Sequence, residues 1–103
     1  QCRRSSGSAF TANVRIPRAR YRLLAGAEQI REYESSPGAF RAFCGVCGSP
    51  VHARLETDPD GIRIRLGGLD RSAPARVSAH LWVSEKPVWY EIADALPRYD
   101  RRP

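Results

Sequence analysis

Val51-His52-Ala53-Arg54-Leu55, the turn Thr57-Asp58-Pro59-Asp60-Gly61, and Ile62-Arg63-Ile64-Arg65-Leu66 decide the fold. In both flanking segments apolar and polar residues alternate with a period of two, the signature of a half-buried strand. Proline presets the turn dihedral and glycine accepts the positive φ that lets the chain return. The stretch predicts an antiparallel hairpin over 51–55 and 62–66, with Arg54, Arg63 and Arg65 on its wetter face. A slip of one residue would turn those arginines inward at large cost.

The same period extends outward. Phe10, Ala12, Val14 and Ile16 alternate with Thr11, Asn13 and Arg15 until Pro17, and Ala79, Leu81 and Val83 alternate with His80 and Trp82 until Lys86-Pro87. Helix is scarce. Residues 25–34 read as a short helix, or equally as a strand carrying Ile30 and Tyr33, and 92–97 allow at most one helical turn before Pro97. The pattern predicts an all-β domain of twisted antiparallel sheets pinned at one end by a metal, with Trp82 and Trp89 read as core.

A chain of 103 residues is one domain, 1–103, small enough to gain from a metal staple. Its longest apolar run, near 23–27, is far shorter than the roughly 18 residues of a membrane span. The formal charge is +6, nearly all of it arginine, with Lys86 the sole lysine. Because Arg15, Arg18, Arg20, Arg22, Arg54, Arg63, Arg65 and Arg76 stand singly between apolar positions, they read as solvated strand faces rather than a nucleic-acid surface. With 3 cysteines there is no even disulfide framework, so a reducing, cytoplasmic setting with thiols as metal ligands is expected. The opening Gln1-Cys2-Arg3-Arg4, in a chain without methionine, reads as a stretch of a longer protein, with a cleaved secretory precursor as the other reading.

Phe43-Cys44-Gly45-Val46-Cys47-Gly48-Ser49-Pro50 holds two thiols two residues apart, each followed by glycine. Spacing of this kind makes half of a zinc site, since zinc takes about four N or S ligands. A redox dithiol needs its second cysteine to lead into a helix, whereas here Gly48-Ser49-Pro50 leads into a strand. The flanking glycines supply a tight turn whose backbone N–H groups can point at sulfur. His52 and His80 lie opposite the apolar residues of their strands and read as partly exposed, hydrogen-bonded side chains. His80, with Trp82, Lys86, Trp89 and Tyr90 close by, also reads as one wall of a pocket for a small anion.

These residues, taken in order, resemble the glutathione-dependent formaldehyde-activating enzyme family, which includes centromere protein V. The resemblance is carried by Cys2-Arg3-Arg4-Ser5-Ser6-Gly7-Ser8-Ala9-Phe10, by Gly26 with Tyr33-Glu34-Ser35-Ser36-Pro37-Gly38, and by Arg41-Ala42-Phe43-Cys44-Gly45-Val46-Cys47-Gly48-Ser49-Pro50. It continues in Gly68-Leu69-Asp70, Ala79-His80-Leu81-Trp82-Val83, Lys86-Pro87-Val88-Trp89-Tyr90 and Leu96-Pro97-Arg98-Tyr99.

The resemblance implies a β-rich fold, two zinc sites, and condensation of formaldehyde with the thiol of glutathione to S-hydroxymethylglutathione, a carbon–sulfur lyase reaction read in reverse. It implies that Cys44 and Cys47 are structural zinc ligands, completed by an upstream C-x-C pair. Cys2 resembles the last cysteine of a C-x-C-x-x-C run holding the catalytic zinc. Both C-x-C pairs would precede Gln1. Arg3, Arg4 and Ser8 would grip substrate carboxylates, since the arginine fork matches a carboxylate, and His80 or Trp89 would line the opposite wall. The alternative is a non-catalytic, zinc-stabilised β module that binds protein or nucleic acid. Salt separates the two, because phosphate contacts weaken steeply as it rises.

Overall fold

The computed structural model describes residues 1–71 and 73–103. Its centre is a five-stranded antiparallel sheet with strand order β1-β5-β4-β3-β2, where β1 is Asn13–Pro17, β2 Ile30–Ser36, β3 Ala39–Cys44, β4 Pro50–Leu55 and β5 Asp58–Arg65. Strands β2 to β5 form a meander between chain neighbours, and β1 comes back to pair with β5. Helix is confined to α1, Cys2–Ser6, and to 3-10 turns such as Ala27–Gln29. No helix among the described residues is long and apolar enough to cross a membrane. The ambiguous segment 25–34 therefore resolves into one 3-10 turn followed by β2.

The expected hairpin is β4–β5, paired at His52↔Ile64, Ala53↔Arg63 and Leu55↔Asp58. Its turn is tighter than the prolyl turn expected from sequence. Leu55 and Asp58 already face each other, and 59–61 are taken into β5, with a register shift between Ala53 and Leu55. The reason lies in Asp58. Its carboxylate receives Arg15 Nε and Nη2 at 2.7 Å and Arg63 Nη2 at 3.0 Å, which holds the residue in the sheet. Gly61 lets this happen: a Cβ there would lie 2.5 Å from Asp58 Oδ2 and 2.6 Å from the Arg15 guanidinium.

Hydrogen bonding from Arg15, and then from Arg63, pulls the Asp58 carboxyl down to about 2 from 3.8. A carboxyl whose pKa is lower folded than unfolded contributes stability that is complete above its unfolded value and is lost as pH falls toward the folded one. We expect the urea midpoints of the wild type and Asp58→Asn to differ by a constant amount above about pH 5, and to converge between pH 3.8 and about 2. A gap that persists unchanged below pH 3 would refute this.

Residues paired across the sheet share a face. One row runs Tyr33, Arg41, Ala53, Arg63, Arg15, and the row on the opposite face runs Glu32, Ala42, His52, Ile64, Val14. The second face carries the fully apolar core among the described residues, Ala42 and Ile62, each 2% exposed. Arg54 reaches over Phe40 there, 3.9 Å from the ring centroid, and pairs with Glu32 at 2.6 Å.

Three expectations about packing need correction. The hairpin arginines do not share one wet face: Arg54 lies on the face of His52 and Ile64 and Arg63 on that of Ala53, where Arg65 is 9% exposed and donates to Asn13 Oδ1, a partner brought in by β1. The strand read over 79–83 shrinks to β6, His80–Leu81, paired in parallel with β7, Arg98–Tyr99, so the sheets are not all antiparallel. In β6 His80 is partly exposed and hydrogen-bonded to Asp94 at 2.9 Å, as expected, but Leu81, expected on the apolar side, is the more exposed of the two. Trp82 and Trp89 lie on the surface rather than in the core.

Candidate functional site

Helix α1 is a single short turn whose purpose is placement, because it buries none of its residues. It sets Cys2 and Ser5 three positions apart, hence on one face, and Ser5 Oγ donates to Cys2 O at 3.1 Å. The Arg41 fork from the middle of β3 spans that face, with Nη2 donating to Cys2 Sγ at 3.4 Å and Nη1 to Ser5 Oγ at 3.3 Å. Partial burial of the sulfur would raise the Cys2 thiol, but the hydrogen bond and charge of Arg41, with smaller help from the N-terminal amine and Arg65, bring it below its ordinary value.

Arg41 is the site residue that sequence reasoning missed as a side chain with a role. The available signal was a lone charge in Ala39-Phe40-Arg41-Ala42-Phe43, where its neighbours are apolar. An arginine in such a run needs a partner, and its partner is the thiol delivered by α1.

Cys44 ends β3, and the chain then makes a tight knuckle. Cys44 N donates to Ser49 O at 2.9 Å and Gly48 N to Cys44 O at 2.8 Å, while Gly45 N reaches Gln29 O at 2.6 Å. Gly48 has φ 77°, the left-handed region that other residues enter at a cost. The glycine N–H groups are thus engaged by carbonyls, and the backbone N–H of the turn that acts most strongly on sulfur is that of Ser49. Its hydroxyl, 3.2 Å from Cys47 Sγ, and then its backbone N–H lower the Cys47 thiol, and the Cys44 side chain adds to the effect.

Zinc binds thiolate, not thiol. Two neighbouring sulfurs, one already biased toward the anion, fit two positions of a zinc site at the knuckle. Cys2, beside a guanidinium, is a third candidate thiolate. No three His, Cys, Asp or Glu side chains converge as a metal-binding group among the described residues, so a complete ligand set is not found within them.

A cavity of about 340 Å³ joins the two regions, lined by Gln1, Arg4, Ser5, Tyr33, Arg41, Phe43, Gly48 and Pro50. Gln1, Phe43 and Gly48 are the chain neighbours of Cys2, Cys44 and Cys47, while the cysteines themselves are not among the lining residues. Of the residues singled out from sequence, Arg4 lines this space. Arg3 and Ser8 are exposed on and just beyond α1, where the Arg3 carbonyl accepts from Gly7 N and Ser8 N donates to Ser6 Oγ. His80 lies in the separate β6–β7 unit with Asp94, outside the lining. His52 is on the opposite face, its Nδ1 3.0 Å from Tyr21 Oη, and burial lowers its pKa.

The profile of the glutathione-dependent formaldehyde-activating enzyme (GFA) family matches residues 1–85 of this chain. No curated protein matches. Among solved structures, the crystal structure of a Rhodobacter sphaeroides protein, a structural-genomics target, superposes with a TM-score of 0.59 at 23% identity, over 71% of this chain and 64% of that one. At that identity the likeness concerns the fold, and the chain spans 64% of that protein's length.

Proposed function

Because the chain belongs to the glutathione-dependent formaldehyde-activating enzyme family, we propose that it serves in joining formaldehyde to a thiol such as glutathione, giving the S-hydroxymethyl adduct. The reaction class is carbon–sulfur lyase, run toward synthesis. The observation that supports this reading is the Arg41 fork on Cys2 beside a cavity that Arg41 lines together with Gly48, the residue after Cys47.

In this proposal Cys44 and Cys47 are structural zinc ligands, and Cys2 is a ligand of the catalytic zinc. Bound there, zinc would lower the pKa of a thiol at its open position. The chain's own contribution is placement. Arg41 fixes the direction of the Cys2 sulfur and stabilises its negative charge. Arg4 offers a carboxylate-matching fork on the cavity wall, with Arg3 and Ser8 flanking it and His80 a more distant candidate. The substrate sulfur attacks the carbonyl carbon of formaldehyde, the C–S bond forms as the C=O π pair moves to oxygen, and that oxygen takes up the proton the thiol gave up. Holding the two partners in contact supplies most of the rate gain. One domain, 1–103, and a cytoplasmic, reducing setting complete the proposal, in keeping with three free thiols.

The test is the rate at which the zinc-loaded protein forms and breaks S-hydroxymethylglutathione, followed by NMR exchange. Exchange above the spontaneous rate, rising with protein concentration, is expected; a rate equal to the spontaneous one would overturn the proposal.

A further inference from the structure

The basic row on the α1 face of the sheet contains one acid, and that acid is fully engaged. Asp58 takes Arg15 at 2.7 Å and Arg63 at 3.0 Å, leaving Arg41 and Arg65 without a carboxylate. Their acceptors are neutral or a thiol: Asn13 Oδ1 for Arg65, and Ser5 Oγ and Cys2 Sγ for Arg41. Both Nε atoms are buried and lack an acceptor among the described residues. Arg65 is itself more than nine-tenths buried. An orphaned donor of that kind loses its hydration with no return, and two guanidiniums sharing one neighbourhood repel each other as well. Burial first, and then the charge of Arg41, press the Arg65 guanidinium toward its neutral form.

Counting charge sharpens the point. Arg4 and Arg41 line the cavity and no Asp or Glu does, while Arg65 lines a neighbouring cavity with Tyr21, Val51 and Leu69 and acts on Cys2 through its charge. Against the Arg4 and Arg41 guanidiniums the cavity sets no carboxylate. The remaining lining side chains are uncharged, with the Tyr33 hydroxyl able to donate and Phe43 and Pro50 apolar.

We propose that Arg41, backed by Arg65 and joined by Arg4, forms an anion site in this cavity that takes a carboxylate of the thiol substrate. The assignment to a thiol substrate rests on the function proposed above; the anion site does not. A planar carboxylate accepting from an arginine fork forms short, charge-assisted hydrogen bonds, and it supplies the negative charge that the buried pair lacks. Arg41 then has two duties, Nη2 orienting Cys2 and Nη1, which in the free protein donates to Ser5 Oγ at 3.3 Å, turning to the substrate, so that carboxylate and sulfur are positioned from one side chain.

The experiment is calorimetric titration with S-methylglutathione, whose blocked sulfur takes no part in metal capture. Its diethyl ester masks both carboxylates and serves as the comparison, so one arm requires no variant. For the wild type the acid should bind about tenfold or more tightly than the ester. Arg41→Lys keeps the charge and loses the fork; circular dichroism confirms that it is folded, and it should bind the acid about as weakly as the wild type binds the ester. Equal affinity for acid and ester in the wild type, or an undiminished acid affinity in Arg41→Lys, would overturn the anion site and leave the thiol reading standing. Sulfate binding that depends on Arg41, without any binding of S-methylglutathione, would uphold the anion site and overturn its assignment to a thiol substrate.

Discussion

Cys2→Ser should reduce S-hydroxymethylglutathione formation by the zinc-loaded protein to the spontaneous rate, a loss of about a hundredfold or more if catalysis lies mainly in holding the partners together. Serine keeps the shape of the residue and its hydrogen bond to Arg41, but it is a poor zinc ligand at neutral pH. The effect should be confined to the chemistry. Helix α1 buries none of its residues, and surface changes away from packing features usually move stability by no more than about 0.5 kcal/mol. Rate and thermal midpoint measured on the same preparation separate the outcomes. If activity survives, Cys2 is not at the reacting centre. If the midpoint collapses together with activity, Cys2 is holding the fold rather than the substrate.

Cys47→Ser should do the reverse, costing several kcal/mol of stability in the zinc-loaded protein together with one equivalent of bound zinc. The binding energy of a structural zinc, about 10–16 kcal/mol in small domains, is also folding energy. The apolar core offers little in its place, since Ala42 and Ile62 are the buried apolar residues among those described. The accessible surface is 8002 Å² for an 11.5 kDa chain, where size scaling gives about 5,800 Å². A domain with that much surface leans on its staple. Guanidinium unfolding with and without a chelator tests this: wild type and Cys47→Ser should differ in zinc and coincide once the metal is stripped. A zinc content unchanged by the substitution, with Cys47 freely reactive in the wild type, would remove the knuckle from the metal site.

The readable parts of the chain were those whose signal is local. Strict alternation around Ala53 and Ile64 names a hairpin because period two has one geometric meaning, and C-x-x-C between glycines names a knuckle. What could not be read depends on distant partners. Asp58 looked like a turn residue because Asp-Pro-Asp-Gly favours turns; it sits in a strand because Arg15, 43 positions earlier, and Arg63 hold it there. Arg65 looked solvated by alternation and is buried because Asn13 reaches it from β1. The segment 79–83 alternates well enough to suggest a strand, but its one pairing partner is the two-residue β7, so the His80–Asp94 pair decides which of its residues is the less exposed. Arg41 was in view within its motif, yet its role appears only when α1 is laid against β3.

The strand order carries a consequence for the sequence of assembly. Strands β2 to β5 can zip together from neighbour to neighbour through short turns, and that meander already contains Arg41, Arg65, Cys44 and Cys47. Cys2 arrives by another route. It is tethered to β1, whose pairing with β5 closes a loop in which Asn13 meets Arg65 across 52 positions, and long closures come late because their entropy must be met before any contact compensates for it. Pulse-labelled hydrogen exchange during refolding should therefore show β3 and β4 amides protected before those of β1, and simultaneous protection would contradict this order. The Cys2 thiol is then the last piece to arrive, meeting an Arg41 that the meander has already set in place, so the contact that lowers its pKa forms only once the rest of the sheet is standing.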